Sequence, residues 1–465
     1  MSLRLYDTLS RSTRDFQPLV PGQASIYLCG ATVQSAPHIG HMRSGVNYDV
    51  LRRWLVHSGY EVTFVQNVTD IDDKILAKAA EAGVPWWALA YTNERAFADG
   101  YATLGCLPPT YAPRATGHVP EMIELMHVLI DNGSAYAAGG DVYFAVETYP
   151  DYGALSGQRL DHMQAAEDGN NDCKRDPRDF ALWKGHKEFE PETARWETPW
   201  GPGRPGWHLE CSAMAGKYLG DAFDIHGGGT ELTFPHHENE ITQSRAAGRN
   251  FANFWVHHAL LNLRGEKMAK SLGNVISLPA VLDTVRPAEL RYYLSAPHYR
   301  SVIDYTEESL HEAAQAYRRI EGFVARAAER SGAGEPGALP EAFTAAMDDD
   351  LNTSRAIGVV HETVREGNAV LASEGDASGH LAAVRGMLTV LGLDPLTQWP
   401  STQSGGELHN VVDALIAVAL DQRQAARARK DFTASDAIRD QLKQAGILVE
   451  DTPHGPRWTL SDGVV

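Results

Sequence analysis

The sequence predicts an α/β protein whose parallel sheet is interrupted by an insertion and followed by helices. Three observations carry this: a strand, helix, strand unit near the N-terminus, a second such unit far downstream, and a helical pattern beyond Val285. In the first unit, SIYLCGATV (Ser25–Val33) is rich in strand formers. Pro37 then opens a helical pattern in which Val46, Val50 and Trp54 share a face with Leu51 and Leu55, and Gly59 supplies its stop. VTFVQNV (Val62–Val68) is the next strand. In the second unit, AFDIH (Ala222–His226) predicts a strand, Gly227–Gly229 a tight turn, and Pro235–Ala247 a helix.

The stretch between the units, roughly residues 113–195, carries helical patterns and a polar run of loop composition, EDGNNDCKRDPRD (Glu167–Asp179). SGAGEPGALP (Ser331–Pro340) and WPSTQSGG (Trp399–Gly406) have linker composition. Beyond the second linker, one long helical pattern closes at Gly446 and a short strand-like end follows. At about 150 residues per domain, 465 residues suit roughly three domains.

A net charge of −19, with 43% hydrophobic and 22% charged residues, excludes a disordered chain and a uniformly basic nucleic-acid binder. It leaves room for local basic faces. Four cysteines (Cys29, Cys106, Cys173 and Cys211) are too few for a disulfide framework in a chain this long, so a reducing compartment is expected. Met1–Arg14 has no apolar signal core and no run of 18 apolar residues follows, so the expected location is the cytoplasm, away from membranes.

Two short motifs carry phosphate chemistry. PHIGH places His38, Gly40 and His41 at a helix start, where free N–H groups and the helix dipole favour anions, Gly40 lets backbone approach, and two imidazoles can donate hydrogen bonds. Alone, these residues fit two surface histidines at a helix cap. GEKMAKSLGN (Gly265–Asn274) sets Lys267 and Lys270 in a polar loop between glycines, able to close over a triphosphate and stabilise a departing pyrophosphate; alone it fits a solvated basic turn. Both motifs in one chain, on a split parallel sheet, favour the functional reading.

A metal set is also within reach. Cys29 ends the first strand, Cys211 stands in GWHLECSAM, and His236 and Glu240 in FPHHENE are four apart on one helix face. Two thiolates, an imidazole and a carboxylate suit zinc. His237 could replace His236 at a spacing of three, and each thiol alone fits a buried core cysteine. Thr69, at the C-terminal end of the second strand, falls where open α/β sheets bind ligands, and HGGG (His226–Gly229) would bring backbone close to a nucleoside.

YLCGATVQSAPHIGH, NVTDIDDKI, FALWKG, GWHLECSAM, HGGG, FPHHENEI and KMAKS together resemble the cysteinyl-tRNA synthetase family of class I aminoacyl-tRNA synthetases, whose signatures are HIGH and KMSKS. The likeness runs through nearly the whole chain. It implies a cysteine–tRNA ligase that uses ATP with Mg2+ to activate L-cysteine and charge tRNA(Cys), working as a monomer. It places one zinc per subunit on Cys29, Cys211, His236 and Glu240, and catalysis on His38, His41, Lys267 and Lys270, with Gly40, Gly228 and Glu231 adding ATP contacts. Trp207 and Thr69 would close around the amino acid. Ala269 stands where the family usually has Ser, and Glu231 where it commonly has Asp.

The implied architecture is a split Rossmann-type catalytic domain (1–112 and 196–258) with a connective insertion (113–195). A stem-contact region with the lysine loop (259–330), a helical bundle (331–400) and an anticodon-binding domain (408–465) complete it. Arg423, Arg427, Arg429, Lys430, Arg439 and Lys443 give that tail a local basic bias. Two rival readings are the related cysteine ligase of mycothiol biosynthesis, which lacks such a tail, and a non-catalytic RNA-binding relative, against which the intact motifs speak.

Overall fold

Four parallel strands position everything that follows: β1 (Gln23–Leu28), β2 (Glu61–Gln66), β3 (Ala222–Gly229) and β4 (Phe251–His258), in the order β4-β3-β1-β2. The computed structural model describes residues 2–166, 168–263, 266–267, 275–397, 399, 403–452 and 455–460. It divides into two units, Met1–Thr397 and Gln398–Val465. Ile26 lies opposite both Phe64 and Ile225 in the sheet. Helices cover both faces, so the central strands bury side chains on both sides and read as apolar runs.

Helix α1 (Ile39–His57) links β1 to β2, α2 (Trp207–Leu219) precedes β3, and α3 (Glu238–Ala246) leads from β3 to β4. From β1 the chain passes to β2 on one side, while β3 flanks β1 on the other, so the carboxyl ends of β1 and β3 open a crevice at the switch point of the sheet. Gly30 lies in that crevice wall, where a Cβ would stand 1.7 Å from the Asn67 carbonyl oxygen. Only glycine lets the two strand ends approach so closely.

Several expectations need correction. Gly227–Gly229 form no tight turn: β3 runs through them and pairs them with Val256, His257 and His258 of β4. Their lack of side chains serves packing, since a Cβ on Gly227 would stand 2.3 Å from the Tyr48 ring of α1. The helix expected from Pro235 begins at Glu238, because Thr233–His237 forms a wider turn with extended backbone at Phe234. The insertion holds the helix Val119–Asp131 but also an antiparallel sheet of Ala135–Ala138, Asp141–Phe144, Phe180–Gly185 and Gly203–Pro205, which extends past residue 195. These strands are short, and Asp141–Phe144 is buried at every position, so they lack the alternation that marks a half-buried strand.

Downstream, Leu261–Leu263, Glu266–Lys267 and Ile303–Tyr305 make a small sheet. A bundle follows from Pro287–Ser295, Glu307–Ser331, Glu341–Asp348, Thr353–Ala372 and Ser378–Leu391; the stretch of linker composition from Ser331 to Pro340 ends one of these helices and continues as a loop inside the bundle, where Arg385 Nη1 donates to the Ala333 carbonyl at 2.8 Å. In the second unit the single helical pattern is two helices, Gln403–Ala428 and Phe432–Gln444. They are broken where Lys430 takes a φ of 61° and Asp431 caps the next helix by accepting from the Ala434 N–H. The first of these helices starts inside the stretch with linker composition, since Gln, Ser and Gly suit a helix entry as readily as a linker. Ile447–Thr452 and Gly455–Leu460 close the unit as a hairpin. Among the described residues, no helix is long and apolar enough to cross a membrane.

Candidate active site and metal centre

The fold gathers four donors that lie far apart in sequence. Cys29 leaves the end of β1, Cys211 sits in the second turn of α2, His236 precedes α3 and Glu240 lies in its first turn. The Cys29 and Cys211 sulfurs are 3.6 Å apart although 182 residues separate them. Cys29 Sγ lies 3.4 Å from His236 Nε2 and 3.3 Å from Glu240 Oε1, and His236 Nε2 lies 2.9 Å from Glu240 Oε1. All four are buried, with their ligand atoms within 4.8 Å of one another.

A second group of four, Cys29, His226, His237 and Glu240, shares two members with the first. His237, however, is engaged elsewhere: its Nδ1 lies 2.8 Å from His257 Nε2, whose ring meets Thr8 Oγ1 through Nδ1 at 2.7 Å. His226 Nε2 holds the other Glu240 oxygen at 2.8 Å. His236 Nδ1 meets His208 Nδ1 at 3.1 Å. Burial and the neighbouring His236 hold His208 well below its ordinary range, so it is neutral and can accept, leaving His236 Nε2 directed at the thiols.

The electrostatics of the cluster are those of paired ligands. Burial would raise the Cys211 thiol, but hydrogen bonds with Cys29 and His236 outweigh it and bring it down to about 6. Burial would lower His236, but Glu240 and Cys211 raise it to about 10. Burial and the Cys211 sulfur push Cys29 up. Without a metal the buried thiolate and carboxylate are offset by a protonated His236; a divalent cation would take that place, releasing the proton and leaving a neutral imidazole as donor.

Next to this cluster opens a cleft of about 340 Å³, lined by Cys29, His38, Gly40, His41, Trp207 and Glu231 among others. His38 is the N-cap of α1: the Gly40 N–H donates to His38 Nδ1 at 3.1 Å, and the His38 N–H donates to His41 Nδ1 at 3.2 Å. The rings stack, centroids 3.7 Å apart. Because both Nδ1 atoms accept, each ring proton sits on Nε2. The helix cap and the functional reading of this motif are thus one arrangement, since capping is what orients the two donors.

Ile39 donates to the Ile276 carbonyl at 3.2 Å and His38 bridges to Ser277, which ties the segment following the lysine loop to the start of α1. Lys267 lies on the short strand Glu266–Lys267, paired with Asn262. Lys270 lies outside the described residues.

Trp207 stacks on His236 at 4.2 Å between centroids, joining the cleft to the donor cluster. Glu231 is exposed on the cleft rim. Gly228 is not in the lining: its N–H donates to the Tyr48 hydroxyl at 2.6 Å, and its neighbour Gly229 faces the cleft instead. Thr69 is not in the lining either. Its hydroxyl donates to Glu210 Oε2 at 2.8 Å and accepts from Asn67 Nδ2 at 3.3 Å, while Asn67 Oδ1 accepts from the Gly30 N–H at 2.8 Å. It braces the residue after Cys29.

Sequence reasoning missed Tyr101, Lys74 and His258 in the lining, and His208 and His257 behind the donors. His257 and His258 pair with Gly228 and Gly229 in the sheet, a register that only the fold reveals.

Comparison with known proteins gives matches along the whole chain. Residues 15–315 match the model of the class I (C) tRNA synthetase catalytic domain, 342–396 the DALR domain, and 408–458 the cysteinyl-tRNA ligase anticodon binding domain. The cysteine–tRNA ligase of Streptomyces avermitilis is 60% identical over 466 residues, covering 99% of both chains. That of Nocardioides sp. is 57% identical over 472 residues, covering 99% of this chain and 100% of the relative. Among solved structures, Mycobacterium tuberculosis methionyl-tRNA synthetase in complex with methionyl-adenylate is similar in fold, with a TM-score of 0.58 at 16% identity over 83% of this chain and 96% of that one.

Proposed function

This chain belongs to the cysteine–tRNA ligase family of class I aminoacyl-tRNA synthetases, and from that premise we propose how its residues divide the reaction. The L-cysteine carboxylate attacks the α-phosphate of ATP, forming cysteinyl-adenylate and releasing pyrophosphate. A ribose hydroxyl of the 3′-terminal adenosine of tRNA(Cys) then attacks the activated carbonyl and releases AMP. Neither step needs a protein nucleophile, so catalysis is positioning and charge stabilisation.

His38 and His41, with Nε2–H directed outward by the cap, donate to phosphate oxygens, and Gly40 lets them come close to the helix N-terminus. Lys267 and Lys270 neutralise the departing pyrophosphate, and Mg2+ accompanies ATP as part of that substrate. Ala269 removes one hydroxyl from the loop and keeps both ammonium groups. Gly229, rather than Gly228, gives the nucleotide its glycine contact, with Glu231 at the rim. Trp207 closes over the amino acid, and Thr69 acts from behind the cleft wall.

Zinc is the ion that fits Cys29, Cys211, His236 and Glu240, because two sulfurs, one imidazole and one carboxylate, all buried, suit a borderline-soft cation. When bound there, it supplies a soft acceptor for the substrate thiolate that a serine hydroxyl cannot satisfy. The ligands need their own orientation, which His208 and His226 provide from behind.

The convergence of Cys29 and Cys211 on His236 and Glu240 is the observation that carries this reading. The likeness of residues 408–458 to a tRNA ligase anticodon domain argues for a tRNA acceptor over a small molecule. The monomer, in the cytoplasm, is the working unit assigned here. The test is charging of tRNA(Cys) transcript with labelled cysteine and ATP. Cysteine should be attached, serine should not, and removing zinc with a chelator should abolish attachment. Cysteine-dependent pyrophosphate exchange without charging would transfer the assignment to a small-molecule ligase.

A further inference from the structure

The phosphate end of the cleft draws on two distant parts of the chain, and one buried side chain joins them. Arg43 lies just beyond His41 on α1 and is fully buried. Its Nη1 donates to the Leu260 carbonyl at 2.5 Å, and its Nη2 to the Ser301 carbonyl and, at 3.4 Å, to that of Tyr299. Leu260 immediately precedes the strand Leu261–Leu263, and Ser301 shortly precedes the strand Ile303–Tyr305. These two strands pair in parallel, and Leu261–Leu263 also pairs antiparallel with Glu266–Lys267, so that Asn262 lies opposite Lys267. One guanidinium thus ties the helix that begins at His38 to the small sheet that carries the Lys267 backbone.

Two of these three carbonyls do not need Arg43. Leu260 accepts from the Ile303 N–H at 3.2 Å, and Tyr299 from the Ala259 N–H at 2.8 Å. The guanidinium is itself incompletely satisfied: among the described residues, no carboxylate pairs with it and its Nε has no hydrogen-bond partner. Burial lowers it to about 10, so it stays charged at neutral pH. Burying a charge against carbonyl groups alone is unfavourable, and a well-packed apolar side chain would fill the space between α1 and the sheet more stably. An apolar side chain would not, however, fix the helix against both strand starts in one geometry, which the planar fork of a guanidinium does. Ser44, Leu260 and Leu261, at or beside these contacts, line the cleft, so a shift here moves the cleft wall.

We propose that Arg43 is a positioning residue for adenylate formation: resting on the function assigned above, it sets the His38 and His41 donors in register with the strand that carries Lys267. The histidines act on phosphate oxygens and Lys267 on the departing pyrophosphate, so both must meet one triphosphate together. Arg43 is not in the cleft lining and acts through the Leu260 and Ser301 backbone. Transfer of cysteine from the adenylate to tRNA releases no pyrophosphate, so that step does not depend on the tie.

The test is Arg43→Lys in the full, zinc-loaded chain, since an ammonium keeps the charge but does not fork to both strands. Single-turnover adenylate formation should slow by about tenfold to a hundredfold, while cysteine affinity and transfer from preformed adenylate to tRNA(Cys) stay within about twofold. Arg43→Gln, uncharged and able to make one of the two bonds, should show the same pattern. In a chain already carrying Lys267→Ala, Arg43→Lys should slow adenylate formation by less than about twofold, because the group it positions is gone. Amide hydrogen exchange in Leu261–Leu263 and Ile303–Tyr305 should quicken, with β1 and β3 unchanged. Equal losses in adenylate formation and transfer, or the same loss with and without Lys267, would make Arg43 a structural residue only and overturn the proposal, as would unchanged hydrogen exchange in both strands. Absence of adenylate formation in the unsubstituted chain would strike at the assigned activity instead, while hydrogen exchange would still decide the tie.

Discussion

The two ends of the cleft are built on opposite principles. At the metal end, Cys211, His236 and Glu240 are at most 1% exposed, and His236 and Glu240 are each held by a further buried imidazole. At the phosphate end, His38 and His41 are half-buried, on a helix N-terminus that opens on the cleft. Selecting one small amino acid needs a dry site whose strongest interaction a near-isostere cannot make. Moving a triphosphate in and a pyrophosphate out needs donors that are aimed yet reachable by solvent. The donor cluster is accordingly fixed by the core, and the phosphate donors by a helix cap, by each other's rings and by Phe97 at the cleft edge.

The largest effect should come from breaking the metal end. Cys211→Ser replaces a thiol held near 6 by a hydroxyl that cannot ionise there, and leaves Cys29, His236 and Glu240 with a hard fourth donor. Bound zinc should fall from about one per chain to near none, and cysteine-dependent pyrophosphate exchange should fall by more than a hundredfold, beyond the 10–100-fold typical of losing a supporting group. Metal analysis with exchange kinetics checks this. Full zinc occupancy with a normal rate would remove Cys211 from the site.

The same contrast explains how much could be read from sequence. The phosphate end was legible because its parts are local: His38, Gly40 and His41 are neighbours, and a helix start is a short-range event. The donors were legible one by one, yet only the order β4-β3-β1-β2 brings Cys29 to Cys211. The choice of His236 over His237 was open at spacings of four and three, and it turns on His257 and His208, which lie on other elements. Thr69 lies three residues beyond the end of β2, and its side-chain direction is set by Glu210 on α2, which the sequence does not show. The strands of the insertion stayed hidden because they are short and buried without alternation.

Breaking the phosphate end should give a different signature. Lys270→Ala removes an ammonium group that acts on charge appearing during pyrophosphate departure, so it should slow adenylate formation about a hundredfold. Cysteine affinity and zinc content should not change, because the donor cluster is held by the end of β1, by α2 and by the turn that leads into α3. Pre-steady-state adenylate formation and cysteine titration separate the two. Equal losses in both would show that the two ends are not independent.

The smallest effect tests how the insertion is fastened to the catalytic half. Asp73, at the start of the helix Asp73–Ala82, meets Lys184 Nζ at 2.7 Å and also pairs with Arg204, both from the insertion sheet. Burial would raise its carboxyl, but Lys184 and Arg204 together bring it from 3.8 to about 2. A carboxyl with a depressed folded value contributes stability that is fully present above its unfolded value and is lost as pH falls through the folded one. Asp73→Asn should therefore lower the urea midpoint at pH 6, with the gap to the unsubstituted chain closing between about pH 4 and pH 2. The side chain is 49% exposed and Arg204 keeps Glu190 at 3.0 Å, so the loss should be under about 1 kcal/mol. A gap that does not change with pH would mean that the variant acts through the helix start, and that the ion pair is not what fastens the insertion.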